Sequence, residues 1–293
     1  MKVSCVYDFR NLSGLGFRIK DEKVTKAIHK IKGKQTTKEF IHAHKLSMST
    51  STLNNWFTMH YSIPLDTVLS ILTWNNFAKL RRNILISGRG KSNCATIIPF
   101  RPTLHLLYLV GATIGDGCLR HEKGKSYFES YFVSFEMSNA RVMKLIQYSF
   151  YKTFGLERPI QLIRRKDGRK KLLLKYSNKV LYYYLQKFFG LKPRKSKSVE
   201  IKNINTFNKN QKLALLLGLC HTDGSLSKTK LRFYTSSERL KDNLLYLLTA
   251  LGYLSTLYIY QRKGHSSEYQ ICVLNPKVLI SELKSIEAEL SRN

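Results

Sequence analysis

Two aspartates each follow an apolar stretch, and each is followed directly by glycine. Asp116 lies in LYLVGATIGDGCL and Asp223 in LLLGLCHTDGSL. Apolar stretches of this kind predict buried helices, so each carboxylate should lie at a helix C-terminus, where exposed carbonyl groups add partial negative charge. Two carboxylates at two such ends repel each other strongly. A hard divalent cation such as Mg²⁺ resolves that repulsion and supports phosphodiester hydrolysis.

Small residues in the same two stretches explain how the aspartates would meet. Gly111 and Gly115 lie four residues apart, and so do Gly218 and Thr222. Residues at this spacing share one face of a helix, and small side chains allow two helix backbones to approach closely. We therefore expect the two helices to pack side by side, with both carboxylates at the same end of the pair.

The two stretches open the units of a diverged internal repeat. Residues 135–155 (FEMSNARVMKLIQYSFYKTFG) match residues 233–253 (FYTSSERLKDNLLYLLTALGY), and each match is followed by two extended segments and another helical stretch. Each unit therefore reads helix, hairpin, helix, hairpin, helix. We predict an α+β protein with a first half at residues 103–200 and a second half at residues 201–293.

The predicted strands alternate between apolar residues and basic or aromatic ones. Leu231 and Phe233 are expected to face the core, as are Leu257 and Ile259 on a later strand. The opposite face of each sheet would line a DNA groove, with phosphates held by Lys and Arg and bases read by polar and aromatic side chains. The residues predicted to bind DNA in this way are Arg164, Arg165, Lys171, Lys175, Lys230, Arg232, Tyr234, Tyr258, Tyr260 and Arg262.

The overall charge indicates a polyanionic partner. Fifty Lys and Arg residues stand against 19 Asp and Glu, which gives a formal net charge of +31. This charge is spread along the chain and interleaved with aromatic residues, a pattern that favours nucleic acid over a membrane surface. The apolar runs are too short to span a bilayer, and Asp8 and Arg10 interrupt any signal peptide. We expect a protein that stays with DNA, in the cytoplasm at the nucleoid or in an organelle.

The N-terminal residues 1–75 read as short helices with clear end signals. Thr36 and Glu39 form a capping box, Ser49 suits a second helix start, and Pro64 suits the first turn of a third helix. Two short helices and a tight turn followed by a packing helix predict an all-α helix-turn-helix domain. A small helical bundle that only supports the rest of the chain is the alternative. In the first interpretation the residues that face DNA include Ser49, Thr50, Asn54 and Asn55.

The stretch 76–102 predicts a basic linker. It is rich in Gly, Ser and Pro and has little periodicity beyond a possible strand at residues 84–86. Its Gly90, Lys91 and Ser92 look like the end of a phosphate-binding loop. That motif needs a glycine where Leu85 stands, so an ATPase is excluded. The five cysteines form no C-x-x-C pair, so a zinc site is not expected either.

The segments LVGATIGDG and LLGLCHTDG resemble the paired motifs of the LAGLIDADG homing endonucleases, in particular the single-chain, two-motif type common in archaea. The resemblance covers about residues 103–285. It implies a pseudo-twofold pair of αββαββα units that forms a saddle on DNA. It also implies that Asp116 and Asp223 bind Mg²⁺, for which Mn²⁺ can substitute, and that the carbonyl groups of Gly115 and Thr222 assist.

The same resemblance implies an activity. The protein would be a monomer encoded by a mobile intron. It would bind a long pseudo-palindromic site in double-stranded DNA and cut both strands across the minor groove, leaving short 3′ overhangs. Two alternatives stay open. One is a regulator that kept the fold and lost cutting, and the other is an intron RNA maturase.

The outer part of the predicted active site departs from the family pattern. Related enzymes place Gln or Asn, then Lys, near the end of the second strand of each half. Here Glu136 and Met137 occupy those positions in the first half, and residues 234–236 (YTS) occupy them in the second. Glu136 is therefore one candidate catalytic residue, and Lys195, in the loop after the last helix of the first half, is another. No counterpart of Lys195 is found before Asn293, so we expect the two strands to be cut unequally or slowly.

Overall fold

The structure is a computed structural model that describes residues 7–72, 76–77, 83–87, 95–123, 129–193, 199–227, 229–261 and 267–292. The chain divides into two units, Met1–Arg101 and Pro102–Asn293. Among the described residues, no helix is long and apolar enough to cross a membrane.

The N-terminal unit combines helices with a small antiparallel sheet. Its strands pair in the order β2-β1-β3-β4. A short 3₁₀ helix, Phe9–Leu12, precedes them. The elements whose bounds are described are β1 (Arg18–Ile19), α1 (Glu22–Lys32), α2 (Thr37–Ala43), α3 (Thr50–Phe57), β2 (Ile63–Pro64), α4 (Leu65–Ile71), β3 (Asn83–Ser87) and β4 (Thr96–Pro99).

The predicted helix starts in this unit are confirmed. The Thr36 hydroxyl accepts a hydrogen bond from the Glu39 amide at 3.3 Å, while the Glu39 carboxylate accepts one from the Thr36 amide at 2.7 Å. The Ser49 hydroxyl caps α3 by accepting a hydrogen bond from the Thr52 amide, and Pro64 immediately precedes α4. Three helices with a short connection between α2 and α3 therefore lie where the sequence predicts them. Their binding to DNA stays a prediction.

Two predictions for this part of the chain are wrong. The unit is not all-α, because it contains the four-stranded sheet, and residues 76–102 are not only a linker, because they supply β3 and β4. The two strands form because a few apolar side chains, interspersed among the basic and small residues of this stretch, are buried. Ile86, Ile98 and Phe100 are at most 1% exposed, and the Phe100 ring lies 4.4 Å from that of Phe9.

The C-terminal unit confirms the predicted αββαββα repeat. The first half contains α5 (Leu104–Ile114), β5 (Gly117–Lys123), β6 (Glu129–Met137), α6 (Ala140–Phe154), β7 (Gln161–Arg164), β8 (Lys170–Ser177) and α7 (Lys179–Phe189). The second contains α8 (Lys209–Thr222), β9 (Ser225–Leu226), β10 (Leu231–Thr235), α9 (Glu238–Ala250), β11 (Ser255–Tyr260), β12 (Glu268–Val273) and α10 (Lys277–Leu290). The antiparallel sheets have equivalent orders, β5-β6-β8-β7 and β9-β10-β12-β11.

Capping residues recur at equivalent positions of the two halves. Asn139 caps the start of α6, and Ser237 caps the start of α9. In the first half, α6 ends at Gly155 and α7 at Gly190, both in the left-handed conformation that glycine adopts without strain. These end signals fix where each helix meets the adjoining strands.

Each sheet buries one face against the helices and leaves the other face outward. Leu231 and Phe233 are buried in the second half, as the alternation predicts, and Phe135, Leu174 and Tyr176 are buried in the first. The prediction for Ile259 is wrong, because this residue is 60% exposed. It lies on an edge strand whose last three residues are all exposed, so the strand continues past the part of the sheet that the helices cover.

Candidate metal and nucleic-acid site

Helices α5 and α8 pack backbone to backbone, as their small residues predict. A Cβ atom added at Gly111 would collide with the Leu215 carbonyl oxygen and lie 3.0 Å from the Leu219 amide nitrogen. A Cβ atom added at Gly218 would lie 2.6 Å from the Ala112 amide nitrogen. Any side chain at either glycine would therefore push the helices apart.

The same contact brings the C-terminal ends of the two helices together. A Cβ atom at Gly115 would overlap the Thr222 side chain and lie 3.1 Å from the Asp223 amide nitrogen. The Thr222 hydroxyl donates to the Gly218 carbonyl at 2.9 Å, so this side chain folds back onto its own helix. Asp116 and Asp223 follow directly on these ends, and both are exposed.

A glycine after each aspartate lets the chain turn from helix to strand. A Cβ atom at Gly117 would lie 2.5 Å from the Cα atom of Thr113, and one at Gly224 would lie 2.6 Å from the Cα atom of Cys220. No other residue type fits these two positions without a shift of the backbone. The repeated Asp-Gly pair thus holds each carboxylate between a helix end and the first strand of its sheet.

The oxygen donors at this place fit a hard divalent ion. They are the carboxylates of Asp116 and Asp223, together with carbonyl groups of the last helical turns, which lack intrahelical partners. In the described parts of the chain, no group of three or more His, Cys, Asp or Glu side chains could hold a metal. Two carboxylates suit an ion that keeps several waters or takes phosphate oxygens as further ligands.

A partly buried polar network that was not predicted from the sequence supports the end of α8. The Tyr108 hydroxyl and His221 Nδ1 lie 3.1 Å apart, and His221 Nε2 lies 3.8 Å from Glu287 Oε1. Arg141 Nη2 approaches the same Glu287 oxygen at 3.0 Å. These residues come from α5, α8, α10 and α6, so the network joins both halves directly before Asp223.

Burial and charge set the protonation of this network. Burial lowers the pKa of His221, Glu287 acts in the opposite direction, and Arg141 lowers it again. Burial also raises the pKa of Tyr108. A neutral imidazole that accepts at one nitrogen and donates at the other suits this arrangement. In the sequence, the only indication of this network was His221, a histidine in an otherwise apolar helical stretch.

The outer face of the first sheet presents lysines. The strand register places Lys171 and Lys175 on one face, and Lys175 Nζ lies 3.8 Å from the centre of the Phe132 ring. Arg164 lies opposite Lys170 on the neighbouring strand, and Lys170 points to the face opposite Lys171 and Lys175. Arg164 is therefore on that opposite face too. The cations of this hairpin that are predicted to bind DNA are therefore divided between two faces.

Two predicted site residues of the first half bind each other. Arg165 donates from Nε to Glu136 Oε1 at 2.6 Å, and its Nη2 makes a second, very short contact with Glu136 Oε2. The Glu136 side chain is only 21% exposed, whereas that of Arg165 is 55% exposed. A candidate catalytic carboxylate and a candidate phosphate ligand thus neutralise each other in the absence of DNA.

The second sheet opens beside Asp223 into a cleft of about 520 Å³. Its outer face carries exposed tyrosines rather than lysines, and Arg232 contacts Tyr234, which raises the pKa of the guanidinium group. Glu268 and Gln270 were not predicted, because they lie on a strand that the charge pattern did not single out. The cleft is lined by Asp223, Tyr234, Thr235, Ser236, Tyr260, Glu268, Tyr269 and Gln270.

A family model and a curated protein match parts of this chain. Residues 210–292 match the family model of the LAGLIDADG-like domain. The homing endonuclease I-DmoI of Desulfurococcus mucosus is 25% identical over 157 residues, which covers 52% of this chain and 73% of that protein.

Solved structures are also similar in part. I-DmoI in complex with DNA and Mn is 23% identical with a TM-score of 0.46, and the match covers 65% of this chain and 98% of that one. The homing endonuclease I-WcaI bound to its DNA recognition sequence is 15% identical with a TM-score of 0.42, over 65% of this chain and 87% of that one.

The remaining residues predicted to bind DNA lie in both units. In the C-terminal unit, Lys230 directly precedes β10 and is exposed. On α3 and its cap, Ser49 and Asn54 are exposed, while Thr50 and Asn55 are half-buried. Lys195 and Arg262 lie outside the described residues.

Proposed function

We propose that this protein is a site-specific endonuclease that cuts both strands of double-stranded DNA and depends on a divalent cation. The observation that carries the proposal is the meeting of two helix ends, each followed by an exposed aspartate, at the boundary between two equivalent halves. The net charge of +31 and the similarity to the homing endonuclease I-DmoI support DNA as the substrate.

Asp116 and Asp223 would hold the cation through carboxylate oxygens, with main-chain carbonyls of Gly115 and Thr222 as further donors. When bound, Mg²⁺, or Mn²⁺ in its place, stabilises negative charge on the scissile phosphate and on the leaving 3′ oxygen. The close glycine contact between the helices fixes the separation of the two carboxylates. Behind them, the Tyr108–His221–Glu287 contacts hold the last turn of α8 in place.

The sheets would bind the DNA on either side of these aspartates. Lys171 and Lys175 in the first half, and Lys230 and Arg232 in the second, are available to pair with phosphates. A pseudo-twofold protein of this kind suits a long pseudo-palindromic site, bound by a monomer. Cutting across the minor groove would leave short 3′ overhangs. The α3 helix of the N-terminal unit would add further base and phosphate contacts.

Lys195 would stabilise developing charge near the first-half site. No step is assigned to Glu136, because this carboxylate is bound to Arg165. The same ion pair favours a second candidate function, a DNA-binding protein with weak or no cleavage, since it covers the outer part of one of the two predicted sites. Encoding by a mobile intron remains part of the proposal.

The test is cleavage of a randomised duplex library by the full chain with Mg²⁺, followed by sequencing of the new ends. On a site found in this way, Asp116→Asn and Asp223→Asn should each lower the cleavage rate by about a hundredfold or more, because each removes a charge that holds the cation. DNA binding should persist or tighten, because repulsion from the phosphates falls.

Asp167→Asn is the matched control, since it removes an exposed carboxylate from the hairpin turn, where it pairs with Arg169. This variant should cut like the unaltered protein. Full activity in both site variants would refute the mechanism. An inactive unaltered protein that still binds one sequence tightly would establish the regulator instead.

A further inference from the structure

Helix α6 of the first half presents a regular row of basic and aromatic side chains to solvent. Successive members of the row are three, four, three and one residues apart, which places them all on one side of an α-helix. The Arg141 side chain is 79% exposed and Tyr151 is 53% exposed, and both lysines of the row are exposed. We call this row the α6 face, and its members are Arg141, Lys144, Tyr148, Tyr151 and Lys152.

The α6 face lies on the opposite side of the first sheet from Lys171 and Lys175. The buried side of α6 packs the Phe150 ring against those of Phe135 and Tyr176, with ring centres 5.8 and 4.1 Å apart. Both of these partners belong to the covered face of that sheet. A duplex held on the outward faces of the sheets is therefore separated from the α6 face by one layer of sheet and one of helix. Duplex DNA has a persistence length of about 150 base pairs, so a nucleic acid on the α6 face has to be a second segment.

The equivalent helix of the second half, α9, lacks three members of this row. In the repeat, the positions of Lys144, Tyr151 and Lys152 carry an acid and two smaller residues, Asp242, Thr249 and Ala250. The acid pairs with Lys241 at 3.0 Å, so α9 neutralises its own charge there. Helix α6 contains no Asp or Glu along its length. Since α9 forms the same element without this row of charges, the fold does not require them, and they indicate an anionic ligand.

A groove of about 490 Å³ continues the α6 face towards α10. Its lining includes Arg141, Lys144 and Tyr148. The Tyr148 hydroxyl donates to the Arg292 carbonyl at 3.1 Å, so the groove is bordered by a further exposed cation. Glu287 also lines the groove, and Arg141 neutralises it at 3.0 Å. Cations of this kind bind phosphate oxygens.

The composition of the α6 face suits the phosphates of a duplex and not its base edges. Lys and Arg bind phosphates whatever the sequence, whereas adenine edges are read by the amides of Asn and Gln. The one side-chain amide on α6, that of Gln147, donates to the Arg158 carbonyl at 2.6 Å. From Arg141 to Lys152 the helix rises about 16 Å, which matches roughly five base-pair steps along one strand. The face therefore suits weak binding to a short stretch of backbone, without preference for sequence.

We propose that the α6 face binds a second segment of duplex DNA through its phosphates while the sheets hold the first segment. This inference rests on the proposed binding of duplex DNA and does not depend on cleavage. A protein that contacts two segments at once can pass directly from one to the other without entering solution. Direct transfer shortens the search for a long site that is rare among non-specific DNA.

The test measures how fast the full chain leaves a fluorescent duplex as an unlabelled duplex of unrelated sequence is added, without divalent cation. Direct transfer passes through a complex with both duplexes, so the release rate should rise in proportion to the competitor concentration. Release through free protein gives a rate that the competitor does not change. In the double variant Lys144→Gln and Lys152→Gln, the dependence on competitor should fall by at least about fivefold, because two phosphate contacts are lost. Its affinity for the labelled duplex alone should stay within about twofold of that of the unaltered protein.

The matched control is the double variant Lys23→Gln and Lys30→Gln, which removes two exposed lysines from another helix, α1. It should transfer like the unaltered protein, and an equal loss in both double variants would overturn the proposal, since general charge would then explain the effect. A competitor RNA duplex that accelerates release where duplex DNA does not would overturn it as well. Release that is independent of competitor in the unaltered protein would contradict this inference alone. An unaltered protein that binds no duplex would contradict the proposed function too.

Discussion

The two halves of the C-terminal unit share their backbone arrangement but differ in the side chains they present outward. Both follow the order αββαββα, and both place an aspartate after a helix whose glycine contacts the partner helix. At equivalent positions across the two sheets, however, the residues are Glu136, Leu173 and Gln161 in the first half and Tyr234, Gln270 and Tyr258 in the second.

This difference separates two kinds of constraint. Contacts between backbones at the helix pair leave room for one residue type only, so both halves keep glycine there. Outward strand positions contact solvent or a ligand, so side chains at these positions can diverge while the fold stays the same. The two halves therefore hold their aspartates in the same way but present different outward side chains, with Lys171 and Lys175 on the first sheet and exposed tyrosines on the second.

The largest expected effect is the dependence of duplex DNA affinity on salt concentration, which tests the difference between the two sheets. A protein that contacts six to ten phosphates should lose about 10³- to 10⁵-fold in duplex affinity between about 50 and 200 mM salt. The double variant Lys171→Gln and Lys175→Gln should reduce the slope of log affinity against log salt by about two, because two phosphate contacts are lost. Filter binding at several salt concentrations measures both quantities.

Lys209→Gln is the control for this experiment, because Lys209 lies at the start of α8 and pairs with Glu282. Its slope should equal that of the unaltered protein. A slope that Tyr258→Ala reduces as much as the two lysine changes do would remove the distinction between the faces. A flat salt profile would contradict nucleic-acid binding altogether.

Gly218→Ala tests the part that the halves share. In an ordinary helix this change stabilises the fold by about 1 kcal/mol, because glycine has the more flexible unfolded chain. Here the new methyl group meets the Tyr108 carbonyl and the Ala112 amide, so we expect a loss of about 3 kcal/mol in the free energy of unfolding. Urea denaturation measures it. Ala250→Gly, at the exposed end of α9, reports the ordinary helix preference, and a neutral Gly218→Ala would show that the helices separate at little cost.

The repeat made most of the C-terminal fold predictable from sequence. Helical and strand periods occurred twice in the same order, and the glycine spacing indicated which helix faces meet. The N-terminal sheet was not predictable in the same way, because β1 and β2 have two residues each and show no alternation. Their pairing depends on β3, which is far away in the sequence.

The candidate site was predictable only where its chemistry is local. The two Asp-Gly pairs can be recognised from a few neighbouring residues. The partners of Glu136 and His221 do not, because Arg165 is separated from Glu136 by 29 positions and Glu287 comes from the last helix. The sequence therefore predicts separate roles for Glu136 and Arg165, whereas the folded chain pairs them.

The first helices of the two halves, α5 and α8, should contribute differently to the stability of the fold at acid pH. His105 of α5 contacts Ser149 at 3.1 Å, and burial, with a smaller contribution from Lys152, lowers its pKa from 6.5 to about 4. The unfolded chain therefore binds the proton more readily. Stability is fully present above about pH 6.5 and is lost as the pH falls towards about 4, by ~1–2 kcal/mol after allowance for partial exposure.

Urea denaturation between pH 7 and pH 4 measures this loss. His105→Gln keeps a hydrogen-bonding group but does not titrate, so its stability should fall less over this interval. The equivalent second-half position carries Lys212, whose ammonium lies 5.5 Å from the Tyr246 ring centre. If Lys212→Gln flattened the pH profile as much as His105→Gln does, the acid sensitivity would not belong to the first half.

The smallest expected effect concerns the ion pair between Glu136 and Arg165. Glu136→Gln removes the charge that holds the guanidinium group, so Arg165 becomes available to a phosphate. Duplex affinity at low salt should rise by about three- to tenfold, and the salt slope should steepen by about one. Asp167→Asn removes a more exposed carboxylate from the hairpin that carries Arg165. Because its partner Arg169 is already accessible, the salt slope of this variant should equal that of the unaltered protein. If Glu136→Gln instead binds as before and cuts more slowly, Glu136 acts in catalysis, and the first half uses a carboxylate where the second uses a tyrosine.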